Sequence, residues 1–107
     1  MADPIVAGFI ARDHPCLAGH FPGQPVVPAV VLLDFAARAL GETLGRRVRL
    51  TAVPAVKFLN PLLPGQMFSV ELQIDAAAHS ARFIARTTEA ELAQGRLEYS
   101  LDGADET

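Results

Sequence analysis

One segment that is apolar on nearly every side constrains the fold of this chain more than any other feature. Residues 29–40 are interrupted only by Asp34 and Arg38, a pattern typical of a buried helix rather than a surface helix. Pro28 favours a helix start directly after it, because that position needs no backbone N–H, and Gly45 predicts the helix end. A helix buried on most sides requires a sheet that curls around it.

Beyond Gly45 the hydrophobic period changes to two. Apolar and polar residues alternate cleanly over residues 68–75 and 96–101, which predicts half-buried strands. Weaker strand patterns cover residues 5–12, 48–60 and 81–88. Pro54 predicts that the second of these is an edge strand, a bulged strand or two separate pieces. One helix with four or five strands joined by short turns predicts an α+β domain with an antiparallel sheet.

Composition bounds the class of protein. The 107 residues are half apolar and 20% charged, with a formal net charge of −3, which excludes a disordered polar chain and a broadly basic nucleic-acid binder. The apolar runs are too short for a membrane span, no signal-peptide pattern is evident, and one cysteine excludes an internal disulfide or a cysteine-rich metal site. We expect one cytoplasmic domain over residues 1–101, with a polar tail over 102–107. A domain of this size buries only about 65% of its surface alone, so the apolar content hints at an oligomer.

Three histidines are candidates for acid–base chemistry, and their surroundings distinguish them. His79 lies in a predicted hairpin turn, and His14 precedes a proline, so both are treated as turn residues. His20 lies in a loop rich in glycine and proline, where four of the eight prolines fall between residues 15 and 28. Such loops aim side chains rather than merely connect elements. Cys16 is a weaker candidate nucleophile, because no activating base or helix N-terminus is evident beside it.

Asp34 interrupts the apolar helix and admits two interpretations. Asp34, Arg38 and Glu42 are spaced four residues apart, so they form a polar stripe in which an Asp34–Arg38 pair contributes about 0.2–0.5 kcal/mol. Spacing alone favours this surface stripe. A carboxylate near the start of a buried helix is also a common way to build a catalytic acid or base.

Two stretches carry a resemblance to a known family. Residues 14–34, HPCLAGHFPGQPVVPAVVLLD, resemble the active-site signature of the β-hydroxyacyl-acyl carrier protein dehydratases, which are hotdog-fold enzymes of fatty acid and related polyketide synthesis. Residues 56–66, VKFLNPLLPGQ, are similar to the strand and turn that follow the central helix in that family. Together the stretches cover about a third of the chain.

The resemblance implies a hotdog fold, a curved antiparallel sheet wrapped around one long helix. It implies a homodimer or a higher even oligomer, in which the histidine of one protomer meets the carboxylate of the other, or a heterodimer with a homologue. The family's catalytic histidine falls on His20 and its carboxylate on Asp34. Aspartate here is typical of the branch that also isomerises the enoyl product. Neither a cofactor nor a metal is implied.

The implied reaction converts a (3R)-3-hydroxyacyl thioester on an acyl carrier protein to the trans-2-enoyl thioester. The resemblance assigns substrate contacts to Gly19, Phe21, Pro28, Ala29 and Val30. Free N–H groups at a helix N-terminus can polarise the thioester carbonyl. The family usually has glycine where this chain has Ala29, which keeps the N–H and adds a methyl group.

The chemistry requires a base and an acid. Neutral His20 suits removal of the C2 proton, and Asp34 would give a proton to the departing C3 hydroxyl. Burial among Leu32, Leu33 and Phe35 would favour a protonated Asp34. A close Arg38 would oppose it, so we expect Arg38 to point elsewhere.

An acidic carrier protein would meet basic residues, for which the candidates are Arg46, Arg47, Arg49, Lys57, Arg82 and Arg86. Two alternatives stay open: a hotdog thioesterase, and a non-catalytic subunit that pairs with an active homologue. The His20 loop with a carboxylate fourteen positions later favours the dehydratase. Longer family members carry an upstream helix and strand, so we expect a shorter sheet here and an altered acyl tunnel.

Overall fold

The computed structural model describes residues 3–11 and 27–101 of the chain. The predicted helix is present as α1, Ala29–Leu44. Gly45 follows it in the left-handed conformation (φ 69°), and the N–H of Arg46 donates to the carbonyl of Gly41. Glycine adopts this conformation without the Cβ penalty of other residues, so it ends the helix as the sequence predicts.

In the described part of the chain, five strands form one antiparallel sheet, in the order β1-β3-β4-β5-β2. Their bounds are β1 Ile5–Phe9, β2 Val48–Phe58, β3 Met67–Asp75, β4 Ser80–Arg86 and β5 Glu91–Leu101. The α+β class and the antiparallel pairing are confirmed. The last strand begins five residues earlier than the alternation predicts, because Leu92 and Ala93 are both buried and break the period of two.

The strand that contains Pro54 is both an edge strand and a bulged one. β2 lies at one edge of the sheet and pairs only with β5 among the described strands. Its register shifts twice, between Leu50 and Ala52 and between Ala52 and Ala55. The bulge absorbs a proline that has no N–H to donate to a ladder. The edge and bulge predictions are therefore confirmed, and the prediction of two separate pieces is wrong.

The helix packs one side against the sheet. Leu32, Ala36, Ala39 and Leu40 are buried on it, and they join a core with sheet residues such as Val70, Leu72, Phe83 and Leu97. The opposite side is exposed within this chain, including Asp34, Arg38 and Glu42. The prediction of a helix buried on most sides is therefore wrong for the single chain, because one sheet covers only one side of a helix.

An aromatic pair fixes the helix over the β1 edge of the sheet. Phe35 on α1 contacts Phe68 on β3 edge to face, with ring centroids 4.9 Å apart. A Cβ atom at Gly8 would lie 2.6 Å from both rings, so glycine permits their close approach. Among the described residues, no helix is both long and apolar enough to cross a membrane.

Candidate active site

The sequence-predicted site residues fall into two groups. Gly19, His20 and Phe21 lie outside the described residues, as do His14 and Cys16. Pro28, Ala29, Val30 and Asp34 are described, at the start of α1 and one turn into it. The roles of all these residues stay predictions, and the structure locates the second group.

An apolar groove lies at the N-terminus of α1. Its volume is about 540 Å³. It is lined by Val27, Pro28, Ala29 and Leu32 on one side and by Phe58, Leu59, Asn60, Pro61 and Leu62 on the other. The N–H of Val27 donates to the carbonyl of Leu62 across 2.9 Å, which joins the two sides. Leu32 and Leu62 are almost fully buried and form an apolar floor.

The N-terminus of α1 gives one end of this groove a positive electrostatic potential. Pro28 is the N-cap, with φ −59° and ψ 142°, and makes no side-chain capping hydrogen bond. The N–H of Val31 donates to the Pro28 carbonyl. The N–H groups of Ala29 and Val30 precede the intrahelical ladder, and the helix dipole adds positive potential there. This arrangement can stabilise negative charge on a carbonyl oxygen that enters the groove.

Asp34 lies on the exposed side of the helix. Its carboxylate Oδ2 is 3.1 Å from Nε of Arg38, and the two side chains are 62% and 77% exposed. The expected burial of Asp34 and the expected separation of Arg38 are both wrong in this chain. The physical reason is helical geometry, since residues four apart share a face and this face points away from the sheet. The polar stripe inferred from spacing is confirmed, since Asp34, Arg38 and Glu42 are all exposed on one side of the helix.

A second groove, of about 800 Å³, borders Asp34. Its lining residues are Asp34, Ala37, Arg38, Gly41, Glu42, Gly45, Arg46, Arg47 and Val48. Asp34 does not line the apolar groove. A single chain therefore presents the helix N-terminus and the carboxylate on different surfaces.

The six basic candidates for carrier binding lie in three places. Arg46 and Arg47 follow α1 and line the second groove. Arg49 and Lys57 lie on edge strand β2. Arg82 and Arg86 lie on β4, where they alternate with buried Ala81, Phe83 and Ala85 and so point away from the core. Arg86 also pairs with Glu71 across 3.8 Å.

The turn after β3 contains the histidine that the sequence assigned to a hairpin. His79 has a positive φ of 49°, and its ring stacks on Tyr99 with centroids 5.4 Å apart. Burial raises the pKa of Tyr99, and the Asp75 carboxylate adds to the rise. The turn prediction for His79 is confirmed. Within residues 3–11 and 27–101, no group of three His, Cys, Asp or Glu side chains could hold a metal ion.

Sequence reasoning missed Asn60 as a groove residue. Its side-chain Nδ2 donates to the carbonyl of Glu91 across 2.8 Å. Asn60 is a polar residue between Leu59 and Pro61, in the stretch that resembles a family segment. This position in the sequence could have pointed to it. Its partner lies 31 residues away along the chain, which no local pattern indicates.

Comparison with known proteins places this geometry in a family context. The family model described as ApeI-like, ApeI dehydratase, matches residues 3–96. A curated relative from Haemophilus influenzae strain PittEE, 3-hydroxyacyl-[acyl-carrier-protein] dehydratase FabZ, is 33% identical over 73 residues. That alignment covers 61% of this chain and 49% of the relative, so the chain spans about half the length of the relative.

Two solved structures share the fold. A chain described as the dehydratase heterocomplex ApeI:P from Xenorhabdus doucetiae superposes with a TM-score of 0.81 and 22% identity, covering 92% of this chain and 87% of that one. A probable thioesterase from Bartonella henselae superposes with a TM-score of 0.74 and 15% identity, covering 97% and 93%. The predicted hotdog fold is confirmed.

Proposed function

This chain belongs to the ApeI-like dehydratase family, and on that premise we propose that it dehydrates 3-hydroxyacyl thioesters held on an acyl carrier protein. The product is the trans-2-enoyl thioester. The observation that carries the proposal is the apolar groove at the N-terminus of α1. It combines a surface for an acyl chain with backbone donors for a thioester carbonyl, the two features that this reaction needs.

The thioester carbonyl is placed at the helix start. The N–H groups of Ala29 and Val30 stabilise negative charge that builds on the carbonyl oxygen, which makes the C2 proton easier to remove. The methyl group of Ala29 narrows the approach but leaves its N–H in place. Pro28 has no N–H to donate, and its ring fixes the backbone that presents the N–H groups of Ala29 and Val30.

The two side chains that move protons are His20 and Asp34. The His20 imidazole takes the proton from C2, and the C2–H electron pair forms the C2=C3 double bond. The Asp34 carboxyl gives a proton to the C3 hydroxyl, which leaves as water. The imidazolium and the carboxylate then exchange protons with solvent, so both groups return to their starting states.

The acyl chain lies against the exposed apolar side chains of the groove, Phe58 and Leu59. Each methylene group that leaves water in the groove contributes about 0.8 kcal/mol. Phe58 and Leu59 are 46% and 43% exposed in the single chain, so apolar surface at the groove remains for a substrate or a second chain to cover.

A second copy completes the site in this proposal. From Pro54 onward every residue of edge strand β2 is exposed, and Val30 on the helix start is 67% exposed. An exposed strand edge beside apolar side chains is a surface that proteins normally cover. Asp34 faces away from its own sheet, where it is available to His20 of the partner copy.

The partner copy is proposed to be identical, with a homologous chain as the alternative. The solved structure from Xenorhabdus doucetiae is described as a heterocomplex. Measuring the molar mass of the purified protein in solution separates the two cases. Twice the chain mass supports a homodimer, whereas a monomer that dimerises only with a homologue supports the heterodimer.

The experiment that tests the function is incubation with 3-hydroxyacyl carrier proteins of several acyl lengths, followed by mass spectrometry of the carrier. Loss of one water supports dehydration. Release of free acid would instead support thioester hydrolysis, which the shared fold of the Bartonella henselae protein makes the second candidate. An unchanged carrier, with the assembled protein, would contradict both.

A further inference from the structure

Asn60 is the one polar side chain among the nine described residues that line the apolar groove. Ligand pockets that are mostly apolar use a few placed polar groups to fix the orientation of the ligand. The contacts of Asn60 therefore bear on which ligand the groove accepts.

The Asn60 side chain is held by one of its two polar atoms. Nδ2 donates to the Glu91 carbonyl across 2.8 Å. The backbone N–H groups of Leu59 and Asn60 both donate to the Leu92 carbonyl, across 2.8 and 3.3 Å. These bonds fix the end of β2 to the start of β5, so the amide plane of Asn60 has a defined direction.

The other polar atom of this groove-lining residue, Oδ1, is a hydrogen-bond acceptor. Since Nδ2 is bonded to Glu91, Oδ1 points to the opposite side of the amide. Among the described residues, no hydrogen bond to Oδ1 is present. An amide oxygen can accept up to two hydrogen bonds, so Asn60 keeps acceptor capacity on a residue that lines the groove.

We propose that Oδ1 of Asn60 accepts a hydrogen bond from an amide N–H in the thiol arm of the thioester substrate. This inference rests on the proposed function, which places the thioester at the helix start on the facing side of the groove. The arm of a carrier-bound thioester contains secondary amides, whereas a simple alkyl thioester has no N–H. Asn60 thus selects amide-bearing thioesters and is a specificity-determining residue.

The test compares two synthetic substrates that share one 3-hydroxyacyl group. One is the N-acetylcysteamine thioester, which has one amide N–H, and the other is its N-methyl analogue, which has none. With the wild-type protein, N-methylation should raise KM about three- to tenfold and leave kcat nearly unchanged, as expected for one neutral hydrogen bond. Equal KM values for the two substrates would overturn the inference.

The variant Asn60→Leu removes the acceptor at similar size. It should raise KM for the N-acetylcysteamine thioester to the value for the N-methyl analogue, so that the preference disappears. If Asn60 acts only by fixing β2 to β5, both substrates lose activity equally and the preference persists, which would contradict the inference. The wild-type comparison stands even where this variant does not fold.

Failure of the proposed function gives a different result. If the wild-type protein removes water from neither thioester, dehydration is wrong, and Asn60 is then tested by calorimetric affinities for the same two compounds. A three- to tenfold preference for the N–H compound that Asn60→Leu abolishes upholds the inference. Equal affinities overturn it.

Discussion

Nε of Arg38 lies 3.1 Å from Oδ2 of Asp34, and both side chains are largely exposed. Arg38 follows Asp34 by one turn of the helix α1. An exposed ion pair of this kind contributes at most about 0.5 kcal/mol to folding. In the proposed reaction the pair has to separate, because a carboxyl group cannot deliver a proton while it is ionised against a guanidinium. In the proposed dimer, contact with the second chain and with the substrate would separate Asp34 from Arg38.

Variants of this pair distinguish a catalytic role from a structural one. Asp34→Asn keeps the size but can neither give nor take a proton, so turnover should fall about 10²-fold or more. Its thermal stability should change little, because the pair is exposed. Asp34→Glu should retain part of the activity, because it keeps a carboxyl group on a side chain that is only one methylene longer.

The matched control is Arg38→Ala, which removes the same ion pair and leaves the carboxyl group. It should fold with a stability within about 0.5 kcal/mol of wild type and keep measurable turnover. The catalytic assignment is wrong if Asp34→Asn is nearly neutral in turnover while Arg38→Ala clearly destabilises the protein.

His20→Ala tests the proposed base. Turnover should fall about 10²–10⁴-fold, the range for loss of one general base. The far-ultraviolet circular dichroism spectrum and the melting temperature should stay close to wild type, because the sequence places His20 in a loop rather than in the core. Turnover within tenfold of wild type in the folded variant would show that another group removes the C2 proton.

The fold was more predictable than the site, for physical reasons visible in single residues. Pro28 and Gly45 bound the helix because the first lacks an N–H and the second adopts a positive φ. Alternation located β3 because one face of that strand is buried and the other is not. The first half of β5 was missed because Leu92 and Ala93 are both buried there.

The orientation of Asp34 was not predictable from its neighbours. Leu33 and Phe35 are apolar, but a helix turns by about 100° per residue, so adjacent residues face different directions. Which side the sheet covers depends on long-range pairing. Asn60 shows the same limit, since its anchor at Glu91 lies on another strand.

Gly95 controls how closely β2 lies against β5. A Cβ atom there would lie 2.6 Å from the Ala55 carbonyl oxygen and 3.0 Å from the Phe83 ring. Gly95→Ala should therefore lower the free energy of unfolding by about 1–3 kcal/mol, measured by urea titration. The neighbouring Gln94→Ala, on the other face of the strand, should stay within about 0.5 kcal/mol of wild type. If both variants lowered the free energy of unfolding equally, the space between β2 and Gly95 would not be what restricts this position to glycine.

The ionisation of Tyr99 predicts how stability changes at alkaline pH. Burial raises the pKa of Tyr99 above its usual value, and Asp75 contributes in the same direction. As the pH rises, the unfolded chain therefore loses the Tyr99 proton before the folded chain does. The contribution of the neutral Tyr99 phenol to the stability of the fold is complete below about pH 10. It is lost as the pH rises through the folded-state pKa.

This shift can be measured at one site, because the chain has one tyrosine and no tryptophan. Absorbance titration of the phenolate should give a higher midpoint for the folded protein than for the protein in urea. Asp75→Asn should lower the folded midpoint by less than the whole difference, since burial is the larger cause. Coincident folded and unfolded midpoints would show that the ring is accessible to water.

Mixing two inactive variants tests whether one dehydration site is built from His20 of one protomer and Asp34 of the other. His20→Ala and Asp34→Ala proteins are combined at equal amounts under conditions that allow subunits to exchange, and loss of water from a 3-hydroxyacyl carrier protein is followed by mass spectrometry. In a symmetric dimer, random exchange makes half of the dimers mixed, and each mixed dimer has one intact site. About a quarter of the wild-type activity should therefore return. No recovery, with subunit exchange demonstrated directly, would contradict it and place both residues in the same chain.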